Sequence, residues 1–379
     1  MKKILITYAK YGSGHESIAK YICDYLITHN KKYEVMLLDM TPYANIPGKF
    51  GISVMKFVGK YRPEKIFNFC YNITDNKISS NMSKKYAKKS FDNKRLRNTI
   101  KSFNPDITIS SHFYCSNIIS YYNEIGIISS KIVTIITDYH SHDVWTCNHK
   151  KEDAFIVSND IVKKELIKRG VNKNKIYPFG IPLSKREEEN NLEVILNKYK
   201  VNNGKKNILF FGGSSVGSLY YYDYLKIFLK LNKDFNVIFI SGNNKRLKNK
   251  VETLVKKEHY KNVHVLGYTK DVFNLLKISN LVITKPGGAT VTECLEFNTP
   301  MLLVPGVGGQ EKYNARFVTI KRYGIYAKNK RKFKKYSISI INNPKLLDFY
   351  KKNLKTQCKN ECLKKINSLI KRMWIRWKK

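Results

Sequence analysis

The sequence has 379 residues, 42% hydrophobic and 26% charged, which gives apolar material for two to three packed domains and excludes a disordered or fibrous chain. Lysine and arginine number 70 against 29 acidic residues, and the net charge of +41 points to an anionic partner: nucleic acid, a membrane surface or a phosphorylated small molecule. The abundance of Lys, Asn and Ile, typical of AT-rich coding, supplies part of that excess without a function. The seven cysteines (Cys23, Cys70, Cys115, Cys147, Cys294, Cys358, Cys362) lack CxxC spacing, as in a reduced cytosol. No secretory h-region opens the sequence, and no apolar run approaches the roughly 18 residues that a membrane span needs.

Short β-rich runs alternate with amphipathic stretches, the pattern of βαβ units in parallel sheets. A strand is predicted at Lys3–Tyr8, then the turn Tyr11-Gly12-Ser13-Gly14-His15 and a helical stretch, Glu16–Leu26. The glycines let a ligand approach the helix N-terminus, whose free N–H groups favour anionic or oxyanionic groups. Ser17 and Asp39 stand where a dinucleotide fingerprint wants a small residue and an acid, so that reading is open as well. His15 reads either as a helix cap or as a proton acceptor. Strands follow at Glu34–Asp39, Asp106–Ser110, Lys131–Thr137, Ala154–Ser158 and Lys175–Phe179. Thr41–Phe91 breaks the rhythm with interleaved aromatics and lysines. His140, His142, Cys147 and His149 are metal-binding residue types at a spacing that fits no common finger, so no metal is expected.

The polar segment Leu183–Gly204 is taken as the domain boundary. A second series of strands is predicted at Asn207–Phe211, Asn236–Ser241, Asn262–Leu266, Leu281–Thr284, Met301–Val304 and Gly324–Ala327. After the first comes Gly212-Gly213-Ser214-Ser215-Val216-Gly217, suited to a phosphate or to packing alone, without the Gly-Lys-Ser/Thr ending of an ATPase loop. The most specific segment runs Thr284-Lys285-Pro286-Gly287-Gly288-Ala289-Thr290-Val291-Thr292-Glu293, then Gly308-Gly309-Gln310-Glu311-Lys312-Tyr313-Asn314. Pro286 fixes a turn, Gly287 and Gly288 open a helix that can hold a diphosphate, and Glu293 can accept both hydroxyls of a ribose. Gln310 and Glu311 stand where they read sugar hydroxyls. Two sets of six strands describe two doubly wound α/β domains, with the site expected in the cleft between them.

These motifs, with Gly12-Ser13-Gly14-His15 and Thr137-Asp138-Tyr139-His140-Ser141-His142-Asp143-Val144-Trp145, resemble the monogalactosyldiacylglycerol synthase and processive diacylglycerol glucosyltransferase group of glycosyltransferase family 28 over residues 3–327. The resemblance implies a GT-B architecture of two Rossmann-like domains, with an acceptor domain at 1–182, a linker at 183–204 and a donor domain at 205–352. A basic helix at 353–379 packs back or touches membrane. It implies His15 as general base, Gly213 and Ser214 on donor phosphate, Gly287, Gly288, Ala289 and Thr290 at the diphosphate, and Glu293 on ribose. Gln310 and Glu311 fall at the transferred sugar, Asn314 elsewhere among the donor-binding residues, and Gly12, Gly14, Asp138, His142 and Trp145 on the acceptor side.

The expected reaction is inverting transfer of a hexose from a UDP-sugar to diacylglycerol or a related lipid, with no cofactor, by a peripheral protein on the cytoplasmic face of an anionic membrane. N-acetylglucosaminyl transfer to a polyprenyl-diphosphate-linked cell-wall precursor is the alternative, because the Gly212-Gly213-Ser214 turn resembles that related enzyme as well. A non-catalytic nucleic-acid-binding protein is the reading from a different class. It predicts a base-reading element, and the sequence has no finger, RNP-like strand or basic zipper, so no specific nucleic-acid partner is expected.

Overall fold

The computed structural model describes residues 1–10, 13–61, 64–184, 189, 191–201, 204–213, 219–231, 234–356 and 361–375. The chain runs β1 (Lys2–Tyr8), α1 (Ser13–His29), β2 (Tyr33–Asp39), α2 (Ile46–Tyr61), α3 (Glu64–Ile73), α4 (Lys77–Phe91), α5 (Lys94–Phe103), β3 (Ile107–Ser110) and α6 (Phe113–Glu124). It continues through β4 (Lys131–Ile135), β5 (Ala154–Ile156), α7 (Asp160–Lys168), β6 (Ile176–Tyr177), α8 (Leu192–Lys198), β7 (Lys206–Phe211), α9 (Leu219–Leu231), β8 (Phe235–Ile240) and α10 (Lys245–Lys257). The last part holds β9 (Val263–Leu266), α11 (Val272–Lys277), β10 (Leu281–Thr284), α12 (Gly288–Glu296), β11 (Met301–Leu303), α13 (Gln310–Ile320), β12 (Gly324–Tyr326), α14 (Lys330–Asn342), α15 (Lys345–Leu354) and α16 (Cys362–Ile375). Every predicted strand is present, with ends moved by one or two residues.

Two compact units form: Met1–Met55 with Lys65–Ser184 and Asn360–Lys379, and Lys56–Glu64 with Lys185–Lys359. The first carries a sheet in the order β2-β1-β3-β4-β5-β6 and the second one in the order β12-β11-β10-β7-β8-β9. All neighbours in both sheets are parallel. Parallel sheets covered on both faces need strands apolar on both faces, which Ile4-Leu5-Ile6 and Ile208-Leu209-Phe210 supply, all fully buried. Strand order reverses between β1 and β3 and again between β7 and β10. Such reversals splay the following loops apart and open a crevice at the carboxyl ends of the strands.

In the first unit, Leu5, Leu38, Phe91, Leu96, Ile118 and Ile132 form one core cluster, and Ile136, Trp145, Phe155 and Val162 a second. In the other unit Phe210, Tyr224, Phe228, Phe239 and Phe333 pack together. A fully buried side chain of this size contributes about 1.5–3 kcal/mol.

The basic tail is not free-standing. In α16, Cys362, Leu363, Ile366, Leu369 and Ile370 are buried at helical spacing. The Tyr33 hydroxyl donates to Asn367 Oδ1 at 3.2 Å, and Lys2 Nζ lies 4.4 Å from the centre of the Trp374 ring. The tail therefore packs within the first unit, and Trp377 lies outside the described residues. The segment 183–204, read as linker, contains α8, whose Ile195 is buried, and α8 belongs to the second unit. Thr41–Phe91 folds into α2, α3 and α4.

Candidate functional site

At the β1/β3 reversal, His15 is the third residue of α1, beyond the capping position. Its Nδ1 lies 2.6 Å from the Ser111 carbonyl oxygen, just after β3, and 3.4 Å from Thr137 Oγ1, just after β4. A carbonyl only accepts, so Nδ1 carries the proton and Nε2 the lone pair. Ser111 holds the same residue a second time, its Oγ donating to the His15 backbone oxygen at 3.0 Å. The ring meets His112 edge to face at 4.7 Å. Desolvation lowers the His15 pKa to about 4, partly offset by the bond to Ser111, so the imidazole is neutral at physiological pH. The structure thus sets aside the capping role for His15. Asp39, the acid of the dinucleotide reading, is engaged by Lys10 at 3.2 Å and by the Thr41 N–H at 2.9 Å.

Of the residues expected on the acceptor side, Gly14 lies in the first turn of α1 and Gly12 lies outside the described residues. Asp138 follows Thr137 beside His15, half-buried, its carbonyl accepting the Ser158 hydroxyl at 3.0 Å. His142 and Trp145 differ from the expectation, because both are buried. His142 Nε2 donates to the Tyr71 carbonyl at 3.0 Å, and its Nδ1 accepts the Val144 N–H at 3.2 Å. Trp145 packs against Phe113 in the core. They support the segment that carries Asp138.

An unpredicted ion cluster does the same. Arg169 donates to Asp75 at 2.8 Å and pairs with Asp143 at 2.9 Å, and the Asp143 N–H donates to Asp75 at 2.8 Å. Burial alone would raise the Asp75 pKa, but bonds from His140, Arg169 and this N–H hold it well below the usual carboxylate range. His140 Nδ1 also bonds Glu165 at 3.1 Å, and the Cys147 thiol donates to Asn117 Oδ1 at 2.9 Å. Among the described residues no group of three or more His, Cys, Asp and Glu side chains could hold a metal ion.

The second reversal places the ends of β7 and β10 side by side. Gly212 is required there: a Cβ would stand 2.5 Å from Phe239 Cζ, and its N–H donates to the Ile240 carbonyl at 2.8 Å. Gly213 follows with φ 78°, a left-handed conformation that favours glycine, and Ser214 lies outside the described residues. Beside it, Gly287 precedes α12 with open space where a Cβ would be, and no side chain caps the helix. The first intrahelical bond runs from the Val291 N–H to the Gly287 carbonyl, so the N–H groups of Gly288, Ala289 and Thr290 receive no helical partner. Glu293 lies farther along α12 and is half-buried.

At the start of α13, half-buried Gln310 is the first helical residue, while Glu311 is buried and bound to Lys285. Asn314, expected among the donor-binding residues, lies one turn into α13. It is fully buried and donates from Nδ2 to the Pro286 carbonyl at 3.0 Å, bracing the turn before α12. Sequence reasoning quoted Lys285 without giving it a role and passed over Ser111 and His112. Their signal is positional, because each follows a strand at a reversal point.

A family model described as monogalactosyldiacylglycerol (MGDG) synthase matches residues 15–183, and one described as the glycosyltransferase family 28 C-terminal domain matches residues 207–373. A processive diacylglycerol beta-glucosyltransferase of Bacillus licheniformis is 28% identical over 361 residues, covering 94% of this chain and 91% of the relative. Among solved structures, MurG of Acinetobacter baumannii aligns with a TM-score of 0.64 at 13% identity, covering 98% of this chain and 99% of the other. UGT2 of Phytolacca americana, complexed with UDP-2fluoro-glucose and pterostilbene, aligns with a TM-score of 0.65 at 10% identity, covering 99% and 100%. These two show the GT-B fold. With one family model matched at 15–183 and the other at 207–373, the chain belongs to the monogalactosyldiacylglycerol synthase and processive diacylglycerol glucosyltransferase group of glycosyltransferase family 28.

Proposed function

We propose that the protein transfers a hexose, glucose by likeness to its relatives, from a UDP-sugar to diacylglycerol or a related lipid, with inversion at the anomeric carbon. The observation that carries the reading is the state of His15, a neutral imidazole whose tautomer is fixed by a peptide carbonyl. In the proposed step, His15 Nε2 takes the proton of the lipid hydroxyl as that oxygen attacks the anomeric carbon. The bond from that carbon to the diphosphate oxygen breaks, and its electron pair leaves with UDP. An imidazole with so low a pKa is fully available at neutral pH but weak, so proton transfer runs together with C–O cleavage. The N–H groups at the start of α12, which have no helical partner, support a diphosphate there, and Glu293 supports the ribose.

The lipid acceptor calls for contact with a bilayer surface. Among the described residues no helix is long and apolar enough to cross a membrane. Ile46 and Phe50 of α2, Phe69 and Ile73 of α3, and Ile78 and Met82 of α4 are each more than half exposed, at helical spacing. Lys49, Lys77, Lys85, Lys88 and Lys89 are exposed on the same helices. Each lysine near an anionic surface contributes about 1 kcal/mol, and the apolar side chains add burial. We assign this face to the cytoplasmic surface of the cell membrane.

The test is to incubate the protein with UDP-glucose, UDP-galactose or UDP-N-acetylglucosamine and vesicles of phosphatidylglycerol and diacylglycerol, identifying products by mass and anomeric proton coupling. A β-linked glucosyl diacylglycerol is expected. Absence of any glycolipid from every combination overturns the proposal.

A further inference from the structure

Lys285 directly follows β10 and stands two residues before Gly287, whose carbonyl takes the first hydrogen bond of α12. Its ammonium is bound to Oε1 of Glu311, at the start of α13, and the other carboxylate oxygen accepts the Val307 N–H at 2.7 Å. The carboxylate reaches that position only because residue 306 is glycine: a Cβ there would overlap Glu311. The acid side chain is 10% exposed and the lysine side chain 37%, so the lysine is the partner with room to move. The acid expected to read sugar hydroxyls is thus already neutralised, by a cation carried on the turn that leads into α12.

One ammonium cannot serve both anions fully. If Lys285 turns to a diphosphate, Glu311 is left as a buried carboxylate that needs hydroxyl donors in its place. We infer that Lys285 is a diphosphate-binding residue whose exchange from Glu311 to the donor couples diphosphate binding to sugar recognition. Sugar hydroxyls then replace the ammonium on Glu311. The inference rests on the UDP-sugar reading above. A UDP-sugar satisfies both partners, whereas UDP draws Lys285 away and strands Glu311, which favours release of UDP after transfer.

The test uses the full chain without acceptor, with affinities for UDP and UDP-glucose measured by calorimetry and for uridine by ligand-observed NMR. Wild type is expected to prefer UDP-glucose over UDP by tenfold or more. In Glu311→Gln, Lys285 is released in advance, so UDP binds at least threefold tighter and the preference for UDP-glucose falls below threefold. The double variant Lys285→Met, Glu311→Gln leaves no buried charge unpaired. It is expected to bind UDP at least tenfold more weakly than Glu311→Gln while binding uridine equally well, which also reports an intact fold. Equal UDP affinity in these two variants, or a wild-type preference retained by Glu311→Gln, overturns the inference alone. Wild type that binds neither UDP nor UDP-glucose overturns the donor reading together with it.

Discussion

The two strand reversals are built alike, but the side chains that stand out in them differ in charge. At the first, beside β1 and β3, the described partners of His15 are a peptide carbonyl, a threonine hydroxyl and a second imidazole edge, and the surroundings keep the ring uncharged. At the second, beside β7 and β10, a lysine and a buried glutamate sit as a ready ion pair next to an uncapped helix. The same backbone geometry supplies the location, and the side chains decide whether it suits a proton acceptor or an anion. Suppressing charge by burial and holding it in pairs have different failure modes, and these can be probed separately.

The largest effect is expected at the uncharged imidazole. His15→Ala should lower turnover by about 10²–10⁴-fold while leaving UDP affinity unchanged. Steady-state rates with calorimetry of the same variant check this, and wild-type turnover would remove His15 from the chemistry. At the charged corner, Glu293→Ala should weaken UDP binding by about ten- to a hundredfold, the value of a charged hydrogen bond to the ribose, with turnover at saturating donor changed only a few-fold. Unchanged affinity would place the ribose elsewhere.

A smaller effect is expected on the exposed helices. Phe50→Glu with Phe69→Glu should lower partitioning onto phosphatidylglycerol vesicles by about tenfold in a sedimentation assay while leaving UDP binding intact. Equal partitioning would move the membrane face away from α2 and α3.

The smallest concerns stability. Glu152 is buried, with Oε1 accepting the Thr134 hydroxyl at 2.9 Å, and desolvation raises its pKa to about 7. An acid whose pKa is raised on folding costs stability as pH climbs from its unfolded value through the folded one. Glu152→Gln should therefore stabilise the protein by about 1 kcal/mol more at pH 6 than at pH 5 in urea titrations. A gain independent of pH would mean that the carboxyl keeps its ordinary pKa.

Much of this was readable in advance, for physical reasons that differ by element. The strands showed because buried parallel strands such as Asn236–Ser241 are unbroken apolar runs between polar turns. The turns at Gly212 and Gly287 showed as glycines, the first forced by close approach and the second facing open space before α12. The α8 helix was missed because its few buried side chains, such as Ile195, give too narrow a stripe to stand out from a polar stretch. Pairing across the fold had no local trace: Ser111 reaches His15 from 96 residues away, and Arg169 reaches Asp75 from 94. Asn314 and Trp145 carried the right motif spacing, but helix register and core packing turn them inward, which spacing alone does not report.

The most direct test of the neutral-imidazole mechanism is the pH dependence of kcat/KM for sugar transfer, with folding followed in parallel. With the His15 pKa at about 4, the rate should stay level from pH 7.5 down to about 5 and fall only as pH drops through about 4. A fall centred near 6.5, the ordinary value for a solvated histidine, would show that the proton acceptor is not the desolvated ring described for His15.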